Sequence, residues 1–73
     1  MNPRIQQLIS RFKEHHVDAF LVTNDTNIRY LTDFPSLESW LLICPERVFY
    51  ITDFRYVLEA RQSLSRITIK QYV

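Results

Sequence analysis

Two runs of apolar and β-branched residues, Trp40-Leu41-Leu42-Ile43-Cys44 and Val48-Phe49-Tyr50-Ile51-Thr52, are separated by only three residues. That spacing constrains the fold more than any other feature of the chain. Parallel neighbours need a crossover of about a dozen residues or more, so strands joined by Pro45-Glu46-Arg47 must be antiparallel partners. Neither run has a clean polar face, which predicts a sheet covered, at least in part, on both sides.

The flanking segments supply the other layer. Ile5, Leu8, Ile9 and Phe12 fall at i, i+3, i+4 and i+7 behind Pro3, the pattern of an amphipathic helix that ends near His15 and His16. Val17-Asp18-Ala19-Phe20-Leu21-Val22-Thr23 then reads as a buried strand. Asn24 and Asp25 offer side-chain oxygens to cap a short helix over Thr26 to Leu31, and Thr32 to Glu38 reads as a loop. Asp53 or Thr52 caps a longer helix through Leu64, with Phe54, Val57, Leu58, Arg61 and Leu64 on or near one side. Ile67, Ile69 and Val73 alternate with Thr68, Lys70 and Tyr72 in a last strand. The order helix, strand, short helix, strand, strand, helix, strand predicts an α/β fold with a mixed sheet flanked by helices. The sequence stops inside the last apolar pattern, and an unpaired terminal strand exposes a row of backbone donors and acceptors. The expectation is therefore an incomplete domain, a fragment or a chain completed by another.

Composition narrows the function classes. With 73 residues the chain holds one small domain, and 47% hydrophobic with 23% charged residues matches a folded globular protein rather than a disordered tail. The net charge of +1 arises from scattered Lys, Arg, Asp and Glu with no basic block, which argues against nucleic acid as a partner. Cys44 is the only cysteine, so no intrachain disulfide or thiolate zinc cluster forms. Met1 to His16 lacks the unbroken apolar stretch of a signal peptide, and the longest apolar run, Trp40 to Cys44, is too short to span a bilayer. These features lead to the expectation of a cytoplasmic protein with no membrane partner. Glycine is absent altogether, so any left-handed turn must use another residue.

The candidate chemistry is sparse. Asp18, Asp25, Asp33, Glu38 and Asp53 stand at strand ends or in loops, where a small metal-dependent nuclease or phosphatase would gather its carboxylates, but their spacing follows no ligand motif. Caps and turns account for aspartates at such positions for backbone reasons alone. The neighbours His15 and His16 point in different directions on a helix and suit its C-terminal dipole better than a shared ion. Cys44, with no histidine nearby in sequence and Pro45 after it, reads as a buried, inert thiol. Tyr30, Phe34, Trp40 and Tyr56 either line a pocket or build the core, Phe34 being the most ambiguous because it stands in a loop beside Pro35.

Two segments carry a resemblance. Asp18-Ala19-Phe20-Leu21-Val22-Thr23 followed by Asn27-Ile28-Arg29-Tyr30-Leu31-Thr32-Asp33-Phe34 resembles the creatinase, prolidase and aminopeptidase P family, which usually reads Asn-Ile-Arg-Tyr-Leu-Thr-Gly-Phe after a strand. Tyr50-Ile51-Thr52-Asp53-Phe54-Arg55-Tyr56, with Glu59 and Ala60 following, is similar to the family's Thr-Asp-Gly-Arg-Tyr element at the start of a helix. The likeness covers nearly the whole chain, but only the first half or so of the family's N-terminal domain, whose topology resembles ribonuclease H. Asp33 and Phe54 stand where glycine is usual, and His16 occupies the usual glycine position after the first helix.

The resemblance implies a non-catalytic N-terminal portion of a Xaa-Pro aminopeptidase or prolidase-like metallopeptidase. In that family a separate C-terminal domain of pita-bread fold holds two divalent metal ions, commonly manganese, cobalt or zinc, on Asp, Asp, His, Glu and Glu. None of those ligands matches a residue here, so this chain is expected to carry no catalytic or metal-binding residue and no cofactor. The implied partners are the catalytic domain and a second subunit in a homodimer, with the N-terminal domain contributing oligomer contacts and restricting active-site access. By position, the access loop is Asp33 to Glu38, with Phe34 shaping the entrance and Glu38 meeting a peptide amino terminus. Asn27, Tyr30, Asp53, Arg55 and Tyr56 are the motif residues expected to act structurally. The alternative is a stand-alone small α/β protein-interaction module without peptidase activity.

Overall fold

The computed structural model describes residues 2–72; Met1 and Val73, and with Val73 the last apolar position of the expected final strand, lie outside the described residues. The order is α1 (Pro3–Ile9), β1 (Phe20–Val22), α2 (Asp25–Thr32), β2 (Trp40–Ile43), β3 (Val48–Thr52), α3 (Phe54–Ser63) and β4 (Thr68–Gln71). The strands form one mixed sheet in chain order. β1 and β2 are antiparallel, β2 and β3 form the antiparallel pair required by their short connection, and β4 runs parallel to β3 after the α3 crossover.

Register decides which residues are buried. Leu41 faces Tyr50 and Ile43 faces Val48 across β2 and β3, and all four are fully buried. With Val22 they join Ile5 and Phe12 from the α1 region, Ile28 and Leu31 from α2, Phe34, and Ala60 and Leu64 from α3 in one core. Burying such side chains supplies roughly 1.5–3 kcal/mol each. The opposite sheet face, with Leu21, Trp40, Leu42, Phe49, Ile51 and Lys70, contains no buried residue. Here the structure departs from the two-sided cover expected of β2 and β3, because all three helices contribute to the core on the Leu41–Tyr50 face.

Four local readings are also revised. The first helix stops at Ile9, where the Ser10 hydroxyl bonds back to the Gln7 carbonyl at 2.6 Å. Tighter turns follow, Arg11 N to Leu8 O at 3.1 Å and Phe12 N to Ile9 O at 3.0 Å, and still deliver Phe12 to the core. β1 is a three-residue edge strand in which only Val22 is buried, Phe20 being 42% and Leu21 51% exposed. The buried stripe of α3 is Val57, Ala60 and Leu64, while Phe54, Leu58 and Arg61 face outward. Cys44 is only partly buried.

The missing glycines are replaced by left-handed residues. His16, Asp33, Glu38 and Arg66 have φ of 56°, 58°, 50° and 60°, a conformation costing roughly 1–2 kcal/mol for a residue with a Cβ. Asp33 uses it as the C-cap of α2, its N–H donating to the Arg29 carbonyl at 2.8 Å. Phe54, the third residue at a glycine position, needs no such geometry because it is the first residue of α3.

Candidate functional site

The C-terminal ends of the parallel strands β3 and β4, with the loop entering β2, gather most of the chain's specific polar contacts. In open α/β sheets this end is the usual location of ligand sites. The loop Asp33–Ser39 is held there from two sides. On the inside, the buried Tyr50 hydroxyl donates to Ser36 Oγ at 2.9 Å, and Ser39 Oγ hydrogen-bonds with Thr52 Oγ1 at 2.8 Å. Ser39 Oγ also lies 2.7 Å from the Leu37 carbonyl, which can only accept. Phe34 is 4% exposed and meets Tyr50 edge to face, with ring centroids 5.5 Å apart. It supports the loop from below and presents no surface to a substrate in this chain.

On the outside, Arg55 draws two carboxylates together. Its Nε lies 3.2 and 3.1 Å from the two Asp53 oxygens, its Nη2 reaches Asp53 Oδ2, and the same Nη2 donates to Glu38 Oε2 at 2.8 Å. Asp53 caps α3 by accepting the Arg55 backbone N–H at 2.9 Å, fixing the carboxylate that the guanidinium grips. The Arg55 side-chain hydrogen bond holds the Asp53 carboxyl below the usual carboxylate range, against a smaller opposing effect of desolvation. Hydrogen bonding first to Asp53 and then to Glu38 raises the already high Arg55 pKa. The Tyr72 hydroxyl donates to the Glu38 carbonyl at 2.9 Å. Desolvation, then the charges of Asp53 and Glu38, push its pKa above the ordinary tyrosine value.

The cluster has an aromatic border. Arg55 lies over the Tyr56 ring at 5.1 Å, Tyr72 stands 6.3 Å from Trp40, and Trp40 and Phe54 are 50% and 73% exposed. The structure thus brings together Glu38, Asp53, Arg55 and Tyr56, while Phe34 packs against Tyr50 in the core. Asn27 and Tyr30 lie elsewhere, with Leu8, Phe20, Val22 and Leu31 around a cavity of about 240 Å³ beside β1. There Arg4 covers the Tyr30 ring at 4.5 Å and donates to its carbonyl at 2.6 Å. Sequence reasoning missed Tyr72 as a member of the cluster, and Ser36 and Ser39 as anchors. Their partners are 34, 14 and 13 residues away, beyond the reach of any local pattern.

Chemically, the cluster is suited to positioning and recognition. Its carboxylates are engaged by one arginine, and among the described residues no group of three or more His, Cys, Asp or Glu stands where it can hold a metal ion. No helix is long and apolar enough to cross a membrane among the described residues.

Comparison with known proteins agrees with this fold. Residues 4–73 match the model of the creatinase/prolidase N-terminal domain. An uncharacterized peptidase of Bacillus subtilis is 29% identical over 69 residues, covering 94% of this chain and 20% of that protein. The crystal structure of a Xaa-Pro aminopeptidase from Streptococcus thermophilus superposes with a TM-score of 0.85 at 35% identity, over 94% of this chain and 54% of that one. A Xaa-Pro dipeptidase from Bacillus anthracis gives 0.87 at 36% identity, over 96% and 20% respectively. The chain thus spans about a fifth of the length of the curated relatives it matches.

Proposed function

This chain belongs to the creatinase/prolidase N-terminal domain family, and on that premise we propose that it acts as the non-catalytic, access-restricting part of a Xaa-Pro peptidase. The proposed reaction is metal-assisted hydrolysis of the bond before proline, carried out by a separate domain that holds two divalent ions, manganese, cobalt or zinc. The described residues of this chain include no group of three or more His, Cys, Asp or Glu that could hold such ions. Their contribution is a shaped and rigid surface that contacts the catalytic domain and a second subunit of a homodimer.

The observation that supports this role most directly is the double anchoring of the Asp33–Ser39 loop, by buried hydroxyls from β3 and by Arg55 from α3. A loop fixed on both sides, with Leu37, Trp40 and Phe54 exposed around it, has the rigidity needed to limit what enters a neighbouring site. Glu38 is the residue proposed to meet a peptide amino terminus, and Phe34 acts on the entrance only by supporting the loop.

The test is to read the coding sequence beyond the codon for Val73 and assay the encoded protein on Xaa-Pro peptides. Continuation into a domain with the five metal ligands, and hydrolysis whose KM rises in Glu38→Gln, supports the reading. An immediate stop codon would replace it with a stand-alone α/β interaction module, a role the exposed aromatics also suit. Unchanged kinetics in Glu38→Gln would remove the access role while leaving the peptidase assignment intact.

A further inference from the structure

The edge of the sheet at β1 carries features that the anchored loop does not use. β1 pairs with β2 on one side only. Antiparallel pairing engages the N–H and C=O of alternate residues, so part of the β1 backbone points away from β2. No other backbone hydrogen bond among the described residues involves Phe20, Leu21 or Val22. Edge strands are commonly blunted by charge, proline or short length, and Phe20-Leu21-Val22 has only the last of these.

Beside this edge lies a groove. Phe20 and Val22, with Leu8 of α1 and Asn27, Tyr30 and Leu31 of α2, line a cavity of about 240 Å³. A second cavity, of about 210 Å³, shares Leu8, Tyr30 and Leu31 as walls and adds Arg4, Gln7 and Arg11. The two form one groove, apolar at the β1 end and cationic at the α1 end. No acid lines either part. Arg4 is fixed at the wall, 4.5 Å over the Tyr30 ring and donating to the Tyr30 carbonyl at 2.6 Å. Asp33, 3.5 Å from Arg4, and Glu14, 3.8 Å from Arg11, reach the arginines from outside the groove in solvent-exposed pairs. Such pairs are weak and leave the guanidiniums able to take another carboxylate.

A small ligand would use the groove and leave the open backbone idle, whereas an extended peptide uses both. A strand laid against β1 sets alternate side chains beside Phe20 and Val22, over the groove. Its residues at i and i+2 share that face about 7 Å apart. We propose that the β1 edge is a docking site for an extended, acidic peptide segment of another protein. The segment pairs with β1, buries one large apolar side chain among Leu8, Phe20 and Leu31, and places a carboxylate two residues away at Arg4 and Arg11. This binding needs nothing from a catalytic domain and stands whether or not the peptidase reading does.

The experiment is a titration of the ¹⁵N-labelled chain with acetyl-Thr-Glu-Thr-Leu-Thr-Glu-Thr-amide, which sets a carboxylate two residues from the leucine in either strand direction. The expected result is saturable shifts of the Leu8, Phe20, Leu21, Val22 and Tyr30 amides, at a Kd on the order of 1 mM or below. Replacing both peptide glutamates by lysine, or the leucine by serine, weakens binding about tenfold or more. N-methylation of the central Thr-Leu-Thr amides abolishes it, because a methylated nitrogen has no proton to give the edge. Arg11→Glu, at an exposed position that leaves the fold intact, weakens the glutamate peptide and tightens the lysine peptide. Equal binding of the two peptides, or binding that survives N-methylation, overturns the proposal. Shifts of the β1 amides with chain concentration alone, the mark of a second copy on the edge, overturn it as well.

Discussion

The loop before β2 is held by two kinds of contact, and they differ in what they contribute. Inside, Tyr50–Ser36 and Thr52–Ser39 are neutral hydrogen bonds between buried residues. Outside, Arg55 joins Asp53 and Glu38 through charged groups, and its side chain is about half exposed. Buried hydroxyls left unpaired cost their full desolvation. The Arg55–Glu38 pair, exposed at both ends, contributes little because water and salt screen both charges. The interior pairs therefore set the conformation of the loop, and the surface cluster adds little to it.

The largest expected effect tests the interior. Tyr50→Ala removes a fully buried ring, its edge-to-face contact with Phe34 and the bond to Ser36, and should cost about 3–5 kcal/mol in a urea unfolding experiment. Tyr50→Phe isolates the hydroxyl and should cost about 1–2 kcal/mol, since Ser36 remains buried without its partner. A loss below about 0.5 kcal/mol for Tyr50→Phe would mean that the interior pair does not set the loop. Thr52→Val is expected to cost less, about 1 kcal/mol, because Ser39 keeps the Leu37 carbonyl.

This contrast also shows which parts of the fold were legible in the sequence. The β2–β3 hairpin followed from a three-residue connection between β-branched runs, and the Asn24 and Asp53 caps from short polar side chains ahead of apolar periodicity. The left-handed geometry at His16 and Asp33 was legible through the glycine positions of the family pattern. The exposure of β1 was not, because an apolar run reads the same on an edge strand as on a central one. The α3 stripe was misread because Ala60, small enough for close helix–sheet packing, carries less hydrophobic signal than the exposed Phe54 and Leu58. Of the candidate site, Asp53, Arg55 and Tyr56 were named from the motif and Glu38 from its position in the loop, while the Arg55–Glu38 contact, Tyr72 and the serine anchors depend on tertiary register.

Glu38 links the two regions and gives the next test in order of size. It carries the outer carboxylate while holding φ at 50°. Glu38→Gly relieves left-handed strain of roughly 1–2 kcal/mol, offset by the greater freedom glycine gives the unfolded chain. If the outer ion pair is worth little, the variant gains about 0.5 kcal/mol of stability. A loss instead would show that the exposed pair contributes as much as the buried ones, and the distinction between the two regions would fail.

The smallest expected effect is at Arg55, and pH separates it from the rest. Asp53 has a folded-state pKa below its unfolded value, chiefly through the Arg55 hydrogen bond. A depressed carboxylate contributes stability that is present above the unfolded pKa, about 3.9, and is lost as pH falls through the folded value. Arg55→Gln should therefore match the parent chain in strong acid, where Asp53 is protonated in both. Near neutrality it should fall only slightly below the parent, and added salt should reduce that difference further. The measurement is the thermal midpoint of both chains from pH 2 to pH 7, at low and high ionic strength. A gap that persists below the folded-state pKa of Asp53 would mean that Arg55 acts through packing on Tyr56, which lies 5.1 Å away, rather than through its charge. That outcome would move Arg55 from the screened surface cluster to the structural anchors of the loop.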